Sequence, residues 1–226
     1  MPASGVVTRS TLRQQIADAL RDEVLAGRLQ PGQEFTVKEI AATYGVSATP
    51  VREALVDLTA QGLLDSNQHR GFQVHRFSIE DYRGMVEAAS LVVDGIFRAD
   101  GTPRANPVHG PALVSVRRRA EEAARAARSG ELDVLIGYDL RFWRELGALV
   151  TNCYIAEFLH RMRVQTWVFA VPHLRGEPEP AAWLWNRHED LVDAITLGDG
   201  RTAHAVVVTH DEHALRWADR LERRTR

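Results

Sequence analysis

Residues 45–64, GVSATPVREALVDLTAQGLL, constrain this chain more than any other stretch. Gly45 stands where a helix-to-helix turn calls for a residue without a Cβ. Ser47 follows as an N-cap, and Pro50 falls in the first helical turn, where a missing N–H costs nothing. Val51, Leu55 and Leu58 recur at helical spacing and must face a core. Ser47, Ala48, Thr49 and Arg52 gather on the opposite side at the N-terminal end, the part of a recognition helix that meets bases and phosphates in a major groove. The Arg52 fork matches the acceptor pair of guanine, and the small residues beside it allow close approach. An ordinary amphipathic helix after a glycine turn would read the same way, so the flanking sequence decides.

The flanks supply the remaining parts of a winged helix-turn-helix. Leu12, Ile16, Leu20, Val24 and Leu25 make an amphipathic first helix that ends at Gly27. The turn LQPG follows, and Thr36 caps a short second helix, VKEIAATY. After Gly62 the stretch LLDSNQHRGFQV alternates as a small hairpin with a polar tip, the wing.

The blocks GRLQPG, VKEIAATYGVS, PVREAL, GLL and RGFQV, in this order, resemble the GntR family of bacterial regulators. The resemblance implies DNA contacts at Lys38, Ser47, Thr49, Arg52 and the wing residues His69, Arg70 and Gly71. Many relatives carry a basic residue where this chain has Ala48, which implies a different or weaker contact there.

Charge adds a constraint. Residues 1–77 hold eight Lys+Arg and eight Asp+Glu, whereas DNA-binding domains are usually basic. The reading therefore requires Lys38, Arg52 and Arg70 to share a face while the acids sit elsewhere. The single cysteine, Cys153, excludes an internal disulfide and suits a reducing cytoplasm. No apolar run is long enough to span a bilayer, and residues 1–10 lack a signal-peptide core and read as a loose tail.

Residues 78–226 form a second domain with helical periodicity and almost no strand alternation. The fold class is thus mainly α, a winged helix-turn-helix over residues 1–77 followed by an all-helical bundle. Six helices are expected near residues 79–97, 111–128, 131–150, 152–169, 181–197 and 201–221. Arg117, Arg118 and Arg119 read as a solvated face with intrahelical pairs rather than a nucleic-acid patch. Trp167, Trp183 and Trp185, near the proline-rich stretch VPHLRGEPEP, read first as core or dimer packing, with an aromatic-walled pocket as the alternative.

Three polar residues fall on apolar stripes. Asp139 interrupts Leu132, Leu135, Ile136, Phe142, Leu146 and Leu149. His188 sits on the stripe of Leu184, Leu191 and Ile195, and His210 on that of Ala203, Val207, Ala214, Trp217 and Leu221. His204 and His213 fall off the line and read as solvated. A buried unpaired carboxylate costs several kcal/mol, so Asp139 requires partners, and a shared polar pocket is the economical arrangement.

The stretches YDLRFWREL…TN (residues 138–152) and RHEDLVDAITLGD…THDEHAL (residues 187–215) are similar to the ligand-binding FCD domain of the FadR subfamily. That resemblance implies a divalent metal held by an Asp and three His, with a carboxylate effector completing the shell. The ligands would be Asp139, the residue four later, His188 and His210. The residue four later is Trp143, whose indole N–H only donates and cannot coordinate a metal. Three ligands could hold Zn²⁺ with water or effector in the open position, and equally the metal could be lost and the pocket reshaped. Relatives also place an arginine near residues 87–89, where this chain has none; Arg163 or Arg161 is the substitute for carboxylate capture.

The expected protein is therefore a homodimeric regulator, a repressor on a near-palindromic operator, tuned by a small carboxylate at Asp139, Trp143, Arg163, His188 and His210. Two rivals belong to other classes. A metal-dependent hydrolase with a fused DNA-binding head lacks a second carboxylate placed as general base. An architectural DNA binder has no use for a buried acid.

Overall fold

Thr11 accepts a hydrogen bond from the Gln14 amide through its hydroxyl and starts α1, Leu12–Leu25. The computed structural model describes residues 11–67, 70–97 and 110–225, so the tail expected over residues 1–10 lies outside the described residues. Contacts divide the chain into two units, Met1–Arg76 and Phe77–Arg226.

In the first unit Thr36 and Glu39 form a reciprocal capping box that opens α2, Val37–Tyr44. Gly45 ends α2 in the left-handed region at φ +65°, and α3 runs Ala48–Ala60. Val51, Ala54, Leu55 and Leu58 are buried, and α3 packs against α1 and α2. The wing strands are β2, Leu64–Asn67, and β3, Gly71–Val74, paired antiparallel. A further strand, β1, Glu34–Phe35, pairs with β3, so the sheet order is β1-β3-β2. Two residues are too few to show period-2 alternation, which is why sequence pattern gives no sign of β1.

In the second unit the helices are α4, Ile79–Phe97; α5, Pro111–Ser129; α6, Leu132–Val150; α7, Cys153–Arg175; α8, His188–Thr196; and α9, Gly200–Thr225. Each packs on two neighbours: α4 on α9 and α7, α6 on α7 and α5, α8 on α5 and α9. The six helices therefore close into a ring. On α5 the alanines Ala120, Ala123, Ala124, Ala126 and Ala127 are fully buried, which lets neighbouring helices approach closely. No helix among the described residues is long and apolar enough to cross a membrane.

Three expectations need correction. The fourth helix of the bundle, α7, does not stop near residue 169 but runs on to Arg175 through Pro172. An interior proline costs about 3 kcal/mol. Burial of Val171 and Leu174 returns roughly 1.5–3 kcal/mol each, enough to hold the helix together. The fifth helix does not begin near residue 181: a 3-10 turn, Pro180–Trp183, and an extended link come first, and α8 starts at His188. The arginine run on α5 is tied between helices rather than within one, Arg117 to Asp193 at 2.8 Å and Arg119 to Glu145 at 2.5 Å.

Candidate functional site

The first unit presents its cations outward. Lys38, Ser47, Thr49, Arg52 and Arg70 are all exposed. Ser47 holds the extended N-cap geometry of α3, yet its side chain makes no capping bond. Four of the eight acids are tied up elsewhere: Asp57 by Arg13, Asp18 by Arg21, Glu23 by Arg28, and Asp65 by His75. Among the described residues, the side chains of Lys38, Arg52 and Arg70 have no ion-pair partner, so a unit of zero net charge still offers free positive charge at α2, the start of α3 and the wing. Gly71 sits at φ +99°, and a Cβ there would lie 2.5 Å from the Phe35 carbonyl oxygen. Gly71 is therefore fixed by the β1–β3 approach as well as by the wing. His69 lies outside the described residues.

Inside the ring of the second unit is a cavity of about 160 Å³, roughly ten times what one water molecule needs. Tyr82, Val86, Ala89, Val93 and Ile96, which recur at helical spacing along α4, line one side of it. The chain has five tryptophans, and all of them, Trp143, Trp167, Trp183, Trp185 and Trp217, line this cavity. Of the two readings of Trp167, Trp183 and Trp185, the aromatic-walled pocket is the one that fits, since all three line this hollow.

Asp139 is 3% exposed and lies in the cavity wall. Its Oδ1 accepts from Trp143 Nε1 at 3.0 Å and from His188 Nε2 at 3.0 Å; its Oδ2 accepts from Trp167 Nε1 at 2.7 Å. Burial pushes the carboxyl pKa up, but the Arg163 charge and the His188 and Trp167 bonds outweigh it and hold the pKa well below the carboxylate range. Asp139 is therefore an anion whose two oxygens are already engaged.

His210 faces a different partner. Arg163 Nη1 lies 2.6 Å from His210 Nε2, and Asp211 Oδ1 lies 2.9 Å from His210 Nδ1. The Arg163 guanidinium also stacks on Trp143, 4.4 Å from its centroid. Burial and the Arg163 charge depress the His210 pKa.

His188, expected to bind effector, is instead placed behind the wall. It is 1% exposed, lies edge-on to Phe142 and Trp185, and does not line the cavity. Its imidazole orients Asp139 rather than meeting a ligand. His204, read as solvated, is partly exposed and also meets Asp94 at 2.7 Å; His213 is instead drawn inward, meeting the Trp183 carbonyl at 3.0 Å and lining the cavity. Asp211 and His160, which helical spacing did not single out, line it too. Asp211 follows His210 directly, and that adjacency was the available signal.

A divalent metal does not fit these donors as they stand. The Asp139 oxygens accept three N–H bonds, the Nε2 of His210 faces a cation, and the position four after Asp139 carries an indole donor. Among the described residues no three His, Cys, Asp or Glu converge to hold an ion. The set Asp139, His188 and His210 is therefore corrected from a ligand triad to a carboxylate–imidazole pair and a separate arginine–imidazole pair. Of the two candidate arginines, Arg163 lines the cavity, whereas Arg161 is exposed beside Phe158.

Comparison with known proteins places this geometry. Residues 12–74 match the model of the bacterial regulatory proteins of the gntR family, and residues 103–213 match the FCD domain. A protein of Paenarthrobacter nicotinovorans named "Probable D-xylose utilization operon transcriptional repressor" is 30% identical over 206 residues, 90% of this chain and 87% of the relative. The HTH-type transcriptional repressor RspR of Escherichia coli K12 is 23% identical over 88% of this chain and 85% of its own. Among solved structures, a GntR protein of Rhodococcus sp. RHA1 superposes with a TM-score of 0.70 at 21% identity, covering 91% of this chain and 96% of that one. Escherichia coli McbR/YncC gives 0.67 at 20% identity, covering 94% and 99%.

Proposed function

The chain belongs to the GntR family of bacterial regulatory proteins with an FCD domain, and it is a DNA-binding transcription regulator, not an enzyme; from that premise we propose that it is a repressor, homodimeric on a near-palindromic operator, released or tightened by a small carboxylate. The observation that carries the effector class is the Arg163 guanidinium in the wall of an apolar cavity. Its one side-chain hydrogen bond among the described residues goes to His210, and its other N–H groups are not buried against protein. A planar fork with free donors, in a wall otherwise mostly apolar and aromatic, suits a carboxylate.

On the DNA side, Arg52 reads a base edge from the start of α3, with Ser47 and Thr49 beside it, while Lys38 and the wing residues His69, Arg70 and Gly71 approach phosphates. Two-fold symmetry would repeat this set on a second half-site. The effector shifts operator affinity only by as much as it binds differently to the operator-bound and operator-free states.

The test is fluorescence anisotropy of an operator selected from random duplexes, titrated with the full chain against a panel of small carboxylates and D-xylose. A change in operator affinity with a carboxylate, lost in Arg163→Gln, supports the reading. A response to D-xylose alone, the sugar in the name of one relative, would replace it with a sugar effector.

A further inference from the structure

We propose that the Arg163 guanidinium stands where a divalent cation would, and that the pocket takes a planar aromatic monocarboxylate without any metal. This rests on the carboxylate reading above and narrows it in two ways.

The first step concerns the cation. A metal needs lone pairs turned toward a common point. Here the Nε2 lone pair of His210 is held by Arg163 at 2.6 Å, and Asp139 is capped by two indoles and His188. Trp143 closes the arrangement, donating to Asp139 while its ring lies under the same guanidinium. The indole that removes a ligand thus also seats the replacement charge.

The second step concerns the ligand. Among the described residues lining the cavity, Arg163 is the one Lys or Arg. Arg163 shares the wall with Asp139 and Asp211, so its free donors have room for one entering carboxylate at most; a second on the same molecule would meet no further cation. Trp143 and Trp185 lie 6.1 Å apart at 33°, and the His210 ring stands edge-on to both. Such walls suit a flat apolar body. Trp185 Nε1 and Trp217 Nε1 are buried without a partner, so these indoles turn ring surface rather than an N–H toward the hollow. A polyol fits poorly, because most of its hydroxyls would meet groups such as Val86, Val93 and Leu146 that offer no hydrogen bond.

The experiment uses the full chain purified without chelator, one portion of which is then treated with EDTA. Metal content is measured by mass spectrometry, and binding by calorimetry and by tryptophan fluorescence, since every tryptophan reports on this cavity. The probes are benzoate, its neutral isostere benzamide, citrate and benzylamine. No stoichiometric metal is expected, with benzoate binding unchanged by EDTA or added Zn²⁺. Benzamide, and benzoate with Arg163→Gln, should bind at least about tenfold more weakly, because a charge-assisted pair is missing. If melting shows Arg163→Gln unfolded, Arg163→Lys takes its place: it keeps the charge without the fork, and should weaken benzoate by a smaller factor while still preferring it to benzamide. The double variant Trp143→His with Arg163→Gln should gain Zn²⁺ binding that the parent lacks.

One metal per chain, with benzoate binding abolished by EDTA, would overturn the guanidinium replacement while leaving the carboxylate reading in place. Binding of citrate but not benzoate would overturn the monocarboxylate assignment alone. Binding of benzylamine in preference to benzoate, or silence of every carboxylate, would overturn the broader reading as well.

Discussion

Arg163 Nη1 donates to His210 Nε2 across 2.6 Å, and that contact fixes the state of the imidazole. A guanidinium only donates, so the nitrogen it meets carries the lone pair, and the proton sits on Nδ1 facing Asp211. Burial, then the Arg163 charge, depress the His210 pKa, against smaller opposing pulls from Asp211 and Asp139. A depressed folded pKa means that the unfolded chain takes up a proton first as the pH falls, so stability drops below the unfolded value of about 6.5. Melting temperature measured from pH 7.5 to 5 should decline in the parent chain. His210→Gln should flatten that decline. An unchanged slope in the variant would show that His210 is not the titrating group.

Asp139 accepts from three N–H donors, that of His188 buried and those of Trp143 and Trp167 partly so, and answers the Arg163 charge. Asp139→Ala strands all of these together, a change expected to cost about 3–5 kcal/mol. For a domain of this size that is a drop of roughly 6–20 °C in Tm, read by calorimetry. Asp139→Asn preserves one acceptor oxygen and should fall between the two. Because the carboxyl pKa is depressed, its contribution is complete above the unfolded value of about 3.9 and is lost as the pH falls toward the folded one. The parent should therefore lose stability below about pH 4 more steeply than Asp139→Asn.

Two glycines of the DNA-binding unit separate backbone strain from crowding. Gly45 has φ +65°, and a methyl group attached to its Cα would meet nothing within 4 Å, so Gly45→Ala incurs only the left-handed penalty, about 1–2 kcal/mol. Gly71 has φ +99°, and a methyl there would stand 2.5 Å from the Phe35 carbonyl oxygen. Gly71→Ala should cost more and act on the β1–β3 pairing. Hydrogen exchange at Phe35 and Phe72 amides is the measurement. Faster exchange there in Gly71→Ala, but not in Gly45→Ala, is the expected result.

What could be read from the sequence follows from how local each signal is. Gly45, Pro50 and the Val51–Leu55–Leu58 spacing mark α3 because turn and helix chemistry act within a few residues. The α4 stripe from Tyr82 to Ile96 was legible for the same reason. Asp139, His188 and His210 announced buried polarity, but not pairing: spacing along helices says which side faces in, not which nitrogen meets which oxygen. Hence His188 turns out to brace Asp139 from behind, and Arg163, read as a candidate for carboxylate capture, also takes the lone pair of His210. Pro172 misled because a local breaker rule was overridden by the burial of Val171 and Leu174, which is a tertiary effect.

The last expectation separates base reading from phosphate anchoring. Lys38 and Arg52 are exposed and, among the described residues, have no ion-pair partners, so neither substitution should disturb folding. Arg52 lies in the first turns of α3, where side chains reach base edges. Arg52→Ala should weaken the selected operator by about 1–3 kcal/mol and relax discrimination at one base pair per half-site. Lys38 is near the start of α2 and suits a phosphate. Lys38→Ala should weaken specific and random duplexes alike, and should lower the slope of log affinity against log salt by about 0.9 for each phosphate no longer neutralised, twice that in a dimer. Anisotropy titrations at several salt concentrations on both duplexes give the two quantities. If Arg52→Ala changed the salt slope but not the discrimination, Arg52 would be bound to a phosphate, and base reading would pass to Ser47 and Thr49 at the helix start.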